Sequence, residues 1–333
     1  MMKADCSQLD IIVLTYNRAK QLSVMLESLC NQTARGFHII VLNNASTDNT
    51  LEVIKQFQSE YPSRDIQVVT NTKNLGNFGN FKKSQKIAKN TYTAVLCDDD
   101  AIHPEYIETA MELLVEHSDA VLCSGGLAEY YNVSCDNWCG LHKDYYLYPK
   151  EAGAYCQLHV RRHSFQNIIY KTEIYKKAQY RPEKYGKLHD IIFLMEASRM
   201  GPSIFILGEC SRVNIGPMRD SCQLENGPFP DEIYHVIQRI NELTSGEMYA
   251  KPALWNFAYF LYLWSELPRF ETWSAFCDRM RKTVFTDAEI KTFSWKVNMD
   301  ELNGKMAQHA AMMCNVDGIF HTYKVTTRSG VHI

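Results

Sequence analysis

Thr93-Ala-Val-Leu-Cys-Asp-Asp-Asp100 runs from a short apolar β-type stretch straight into three consecutive acids, and Pro104 follows a few residues later. A strand that ends this way presents negative charge at its carboxyl end. Adjacent carboxylates raise one another's pKa unless a cation lies among them. The competing reading is a solvated acidic turn capping a helix that opens at Pro104, since proline is well tolerated in a first helical turn. The flanking sequence decides between the two.

Upstream, apolar strand-length runs alternate with segments of helical period. Leu9 to Leu14 is predicted as a strand and is followed by a helix with Leu22, Met25, Leu26, Leu29 and Cys30 on one face. Phe37 to Leu42 and Ile66 to Thr70 read as further strands. The polar turn Asn43 to Thr50 opens a helix carrying Leu51, Ile54 and Phe57 inward, and a glycine-containing loop, Asn74 to Gly79, leads to a helix through Ile87. After Pro104 a helix runs to about Glu116. This alternation predicts βαβ units and a mainly parallel sheet. Ligands of open α/β sheets bind outside the carboxyl ends of the strands. Thr15-Tyr-Asn-Arg18, Asn43-Asn44, Asn71 to Asn80 and Asp98 to Asp100 each follow a strand, so four polar segments converge on one crevice. In that company the acids read as a metal-holding set, and all-oxygen ligation suits Mg²⁺ or Mn²⁺.

Downstream of Gly126 the pattern turns irregular and aromatic. Trp138 and Tyr145 to Tyr148 are expected either to stack on a sugar ring, whose C–H faces aromatic faces complement, or to pack in the core. A helix returns at Asp190, Ile204 to Leu207 reads as a strand, and the chain from Pro230 is amphipathic and helical. Cys135, Cys139, His142, Cys156 and His159 are soft zinc-type ligands, but their spacing matches no standard finger or ribbon, and unrelated buried thiols are the favoured reading.

Composition narrows the function further. The 333 residues are 46% hydrophobic and 22% charged, which fits a globular protein of one large domain plus an appendage, or two domains. Lys+Arg 35 against Asp+Glu 38 gives a net charge of −3, without the basic footprint of a nucleic-acid binder. Eleven cysteines, an odd number, read as reduced thiols of a cytoplasmic protein, and no secretion signal is visible. The longest hydrophobic stretch, Ala253 to Trp264, is shorter than the roughly 20 residues that span a bilayer. Its Trp and Tyr residues either rest on a membrane surface or serve packing and self-association, and the lack of nearby Lys and Arg favours the latter. No Gly-x-Gly-x-x-Gly follows the first strand, which disfavours a NAD-dependent enzyme.

Ile11 to Arg18, Val41 to Asp48, Asn74-Leu-Gly76, and Leu96 to Asp100 with Pro104 resemble, in order and spacing, the family 2 glycosyltransferases of the GT-A fold. The resemblance covers residues 9 to about 125 and, more weakly, continues to about 220. It implies an α/β, Rossmann-like fold: a mainly parallel sheet flanked by helices, with a C-terminal helical extension. Residues 1–125 would be the nucleotide-sugar-binding half, 126–228 the acceptor-binding and catalytic half, and 229–333 the extension.

By position, the resemblance puts Thr15, Tyr16, Asn17 and Arg18 in the donor site, with Thr15 and Asn17 against the nucleoside. Asn44 would face the base, and Asn74 and Gly76 would line the same site. Asp98 and Asp99 would be the ribose- and metal-contacting acids, with Asp99 the favoured direct ligand and Asp100 in the same set. Asn43 and Asn44 stand where relatives commonly have Asp. An amide complements the N–H and C=O edge of uracil, so a UDP donor is expected. Arg212 or Arg219 would meet the diphosphate, and Asn214 occupies the place of a common His. In the pair His189-Asp190, Asp190 is either the base of an inverting single displacement or an N-terminal helix cap.

The implied reaction moves a sugar from a nucleotide-sugar donor to a glycan or lipid-linked saccharide acceptor in bacterial surface-polysaccharide synthesis. It would take place in the cytoplasm, with peripheral contact at the inner face of the membrane and self-association through the tail as further expectations. Two rivals remain. A sugar nucleotidylyltransferase would need a glycine-rich loop after the first strand, which Leu14 to Arg18 lacks. A non-catalytic glycan-binding protein would make Asp190 and the acids dispensable.

Overall fold

The computed structural model describes residues 5–141, 143–158, 165–215, 230–245, 250–264, 272–294 and 326–327. Four strands form a parallel block in the order β3-β2-β1-β4: β1 (Leu9–Thr15), β2 (His38–Asn43), β3 (Asp65–Thr70) and β4 (Tyr92–Cys97). Consecutive strands along the chain are joined by helices α1 (Ala19–Cys30), α2 (Thr50–Glu60) and α3 (Gly76–Ile87). Alternation along β1 sends Ile11 and Val13 to one face and Ile12 to the other, as the two-residue strand period requires. The first face packs with Leu22, Leu26 and Leu29 of α1, Ile54 of α2, and Met111 of α4 (Tyr106–Glu116). The second packs with Phe81 of α3 and Phe193.

The sheet continues beyond β4 with mixed direction. β6 (Leu122–Tyr130) and β9 (Ser203–Asn214) run parallel to each other, and β8 (Ile169–Lys171) is inserted antiparallel between β4 and β6. β7 (Tyr145–Tyr148) pairs antiparallel with β9, as does β5 (Ala101–Ile102), and β10 (Thr326–Thr327) pairs antiparallel with β7. Two antiparallel steps restore direction, so β6 and β9 end at the same edge of the sheet as β1, β2 and β4. β9 bulges past Gly125 and Gly126. A Cβ at Gly125 would run into the Cys210 sulfur, and one at Gly126 into the carbonyl oxygen of Gly208. This close approach delivers the end of β9 to the acidic turn.

The parallel expectation therefore describes the first block, while the second half adds antiparallel strands that the sequence reading did not separate. The division expected at 125/126 falls inside β6. Helix α3 begins at Gly76, so the expected glycine loop ends at Leu75.

After the short helices α5 (Thr172–Lys177) and α6 (Pro182–Tyr185), α7 (His189–Ser198) is apolar on two sides. Phe193, Leu194 and Ala197 face the sheet, while Ile192 and Met195 join a separate cluster with Ile233, Ile237 and Ile240 of α8 (Pro230–Leu243) and Leu254 and Phe257 of α9 (Ala250–Trp264). The C-terminal helices thus hold α7 against the sheet. Trp255, Tyr259 and Tyr262 are buried, and Trp273 packs against all three rings. Those three aromatic residues serve the core and offer no membrane-facing surface. Among the described residues no helix is long and apolar enough to cross a membrane.

Candidate active site

The strand registers bring three polar side chains side by side. Thr15 of β1 pairs with Asn43 of β2, and Leu14 pairs with Cys97 of β4, which leaves Asp98 one step beyond the ladder beside Thr15. All three are buried. Thr15 Oγ1, Asn43 Nδ2 and Asp98 Oδ2 are three of the five buried side-chain polar atoms without a hydrogen-bond partner among the described residues. The Thr15 hydroxyl does lie close enough to lower the Asp98 pKa, although the two groups do not complete a well-formed hydrogen bond. Native interiors seldom leave such atoms unpaired, so their concentration at these strand ends marks a place built for something other than packing.

Burial pushes the Asp98 carboxyl up to about 6. Thr15 and the Arg18 guanidinium pull it down, and Asp99 pushes it further up. Arg18 Nη1 lies 3.3 Å from Asp98 Oδ1 and 3.2 Å from Asp99 Oδ2. Asp100, also buried, accepts a hydrogen bond from the Asn214 backbone N–H at 3.1 Å, and β9 is thereby tied to the acidic turn. Ligand atoms of Cys97, Asp99 and Asp100 all lie within 4.8 Å of one another. Together with the unpartnered Asp98 Oδ2, this donor set fits a hard divalent cation, with Asp99 and Asp100 as its oxygen ligands.

The segment between β1 and α1 is fixed from β2's side. Asn17, at φ 51°, accepts from the Thr47 N–H at 2.7 Å and receives Ser46 Oγ on its own N–H at 3.0 Å. Asp48 accepts from the Ala19 N–H at 3.2 Å and so caps α1. Tyr16 is 41% exposed beside it, available to a ligand.

Asn44 behaves differently from the expectation. It is buried, its Nδ2 donates to Asn74 Oδ1 at 2.8 Å and to the Gly76 carbonyl at 3.3 Å, and its Oδ1 accepts from Asn71 Nδ2 at 2.8 Å and the Leu75 N–H at 2.9 Å. With donors and acceptor satisfied internally, Asn44 shapes the 71–76 loop and has no capacity left for a base. Asn74 shares that network, and Gly76, at φ 70°, turns the chain into α3.

Asp190 occupies the first turn of α7, and its Oδ1 accepts from the Ile191 N–H at 2.8 Å. His189 Nδ1 donates to the Gly186 carbonyl at 2.7 Å, and its ring meets Phe78 at 5.1 Å and Tyr180 at 4.6 Å. Phe78 belongs to the first turn of α3, so the start of α7 stands beside the start of α3. Burial raises the Tyr180 phenol, and Tyr175, Asp190 and Cys97 raise it further. Tyr180 and Phe78 carried no motif; only their aromatic character near His189 could have drawn notice.

Arg212, expected at a diphosphate, is taken up by protein groups. It is buried, donates to the carbonyls of Ser134 at 3.1 Å, Asp136 at 2.5 Å and Asn137 at 3.2 Å, and pairs with Glu209 at 2.7 Å. Its guanidinium stacks 3.9 Å from the Trp138 centroid and 5.0 Å from that of Tyr130. Trp138 therefore packs on protein, and Tyr145, Tyr146 and Tyr148 are buried in the core, which removes them as a sugar platform. Arg219, His142 and His159 lie outside the described residues, as does the Cys156 side chain. Cys135 donates to the Val24 carbonyl, and neither it nor Cys139 belongs to a metal-type cluster among the described residues.

Residues 10–178, half of the chain, match the family described as glycosyl transferase family 2. The chain belongs to glycosyl transferase family 2. An uncharacterized glycosyltransferase of Haemophilus influenzae is 26% identical over 206 residues, covering 59% of this chain and 62% of that protein. The poly(ribitol-phosphate) β-N-acetylglucosaminyltransferase TarS of Staphylococcus aureus is 29% identical over 114 residues, 34% of this chain and 20% of TarS. The matched stretches thus span 20% to 62% of these relatives' own length. The crystal structure of S. aureus TarS 1–349 superimposes with a TM-score of 0.55 at 18% identity, covering 88% of this chain and 76% of that one. This family 2 chain therefore shares its fold with TarS across the mixed half of the sheet as well as the parallel block.

Proposed function

We propose that this chain transfers a sugar from a UDP-linked donor to a hydroxyl of a glycan or lipid-linked acceptor by a single inverting displacement. The row Thr15, Asn43 and Asp98 beside the cation-fitting Asp99 and Asp100 carries this reading, because it offers buried polar atoms and charge at one sheet edge. In it, the nucleoside lies over the row, with the Asn43 amide taking the base-reading part first expected of Asn44. Tyr16, exposed at the rim, covers the nucleoside. A divalent cation held by Asp99 and Asp100 would offset the charge that develops on the leaving diphosphate.

Asp190 takes the proton of the acceptor hydroxyl as it attacks. Its Oδ1 is fixed by the Ile191 N–H, and its Oδ2 makes no hydrogen bond among the described residues. The His189–Phe78–Tyr180 ring contacts brace the start of α7 beside the start of α3. S. aureus TarS, a poly(ribitol-phosphate) β-N-acetylglucosaminyltransferase solved with UDP and with UDP-GlcNAc, supports a UDP donor. The free thiols among the described residues support a cytoplasmic site of action.

The test is incubation with a panel of nucleotide sugars, with and without Mn²⁺ or Mg²⁺. The expected result is slow, cation-dependent release of UDP from one UDP-sugar. Diphosphate release from UTP and a sugar phosphate, or glycan binding with no turnover of any donor, would contradict the reading.

A further inference from the structure

Arg18 stands on the carboxylates that the cation needs. Its chain neighbours are tied to the turn after β2: Asn17, at φ 51°, bonds Ser46 and Thr47, and Asp48 accepts from the Ala19 N–H. The Arg18 guanidinium bridges Asp98 Oδ1 at 3.3 Å and Asp99 Oδ2 at 3.2 Å, while its side chain remains 25% exposed. Asp99 therefore belongs to two sets at once: the ion pair with Arg18, and the Cys97–Asp99–Asp100 group whose ligand atoms lie within 4.8 Å. Three adjacent carboxylates need compensating charge, and Arg18 forms an ion pair with both Asp98 and Asp99.

We propose that Arg18 is the resident counter-cation of the acidic turn. It yields Asp99 to an incoming divalent cation, and its guanidinium then passes to the donor diphosphate. The diphosphate half rests on the proposed donor reading. A divalent cation on Asp99 competes with the guanidinium for the same negative charge and repels it, so cation binding weakens the Arg18–Asp99 pair. The displaced fork matches phosphate oxygens in pairs. The nucleotide gives Arg18 a new anionic partner, and by linkage each of cation and nucleotide strengthens the other's binding by the same factor. Arg18 is in this account a positioning residue that makes cation and donor bind together.

The experiment titrates Mn²⁺ by electron paramagnetic resonance, and UDP by calorimetry, into the wild-type chain, Arg18→Gln and Arg18→Lys, with circular dichroism melts to verify folding. Arg18→Gln should bind Mn²⁺ alone about tenfold more tightly, bind UDP with Mn²⁺ more weakly, and show a Mn²⁺–UDP coupling factor that falls toward one. Arg18→Lys keeps the charge and loses the fork, so its Mn²⁺ affinity should stay near wild type while UDP binding weakens. Wild-type protein that binds UDP with Mn²⁺, together with an Arg18→Gln variant of unchanged or lower Mn²⁺ affinity, overturns the inference and leaves the donor reading standing. A gain in Mn²⁺ affinity in protein that takes no UDP upholds the counter-cation and overturns the hand-over together with the donor reading.

Discussion

Two regions of one sheet treat their buried polar atoms in opposite ways. At the ends of β1, β2 and β4, Thr15, Asn43 and Asp98 each keep an atom without a completed hydrogen bond. Around the β6–β9 bulge, the buried Asn167 side chain meets Gly125 N, Gly125 O and Ser211 Oγ, and Arg212 meets three carbonyls and Glu209. The second region saturates its polar groups because they hold the bulged β9 in place. In the proposed reading, the first leaves them open for a ligand to complete. Open groups cost stability and saturated ones supply it, so substitutions should separate the two regions by what they damage.

The largest expected effects lie on the open side. Asp190→Asn should cut transfer by about 10²–10⁴-fold while UDP binding is retained, as loss of a general base predicts; single-turnover kinetics beside calorimetry checks both halves. Asp99→Ala should abolish Mn²⁺-dependent UDP binding with little change in melting temperature. On the saturated side, Arg212→Leu strands the Ser134, Asp136 and Asn137 carbonyls and the Glu209 charge, and should cost about 2–4 kcal/mol in urea unfolding. Thr15→Val should do the reverse: stability within about 0.5 kcal/mol of wild type, and UDP affinity lowered about five- to tenfold.

The smallest effect lies away from both regions, at His38 and Asp65, paired at 2.5 Å across β2 and β3. The hydrogen bond to Asp65 raises His38 above its ordinary 6.5 and lowers Asp65 below its ordinary 3.8. The His38 contribution is full below pH 6.5 and fades as pH rises through its raised value. That of Asp65 is present above 3.8 and fades as pH falls through its lowered value. Between about pH 5 and 6 the pair should add about 0.5 kcal/mol, reduced by its exposure. His38→Gln should remove the part of the stability curve that falls toward alkaline pH.

The parallel block was legible because strand and helix periods there are long and uninterrupted, and because each polar turn follows its strand directly. The mixed half was not. β7 and β8 have 4 and 3 residues, too few for a period to register, and β6 is broken by the Gly125–Gly126 crossing. Among site residues, the sequence located the acidic turn and its cation-fitting geometry. It could not tell Asn43 from Asn44, because alternation along one strand end turns one amide to the strand row and the other into the 71–76 loop. Nor could it see that Arg212 is held by carbonyls, a partnership set by β9's bulge and by a loop about 75 residues earlier in the chain.

A crystal structure of the chain with UDP and Mn²⁺ tests the central claim most directly. The account predicts the nucleoside over Thr15, Asn43 and Asp98, Mn²⁺ between Asp99, Asp100 and the diphosphate, and Asp190 across the remaining gap. A nucleotide bound elsewhere, with the carboxyl ends of β1, β2 and β4 still open, would contradict it.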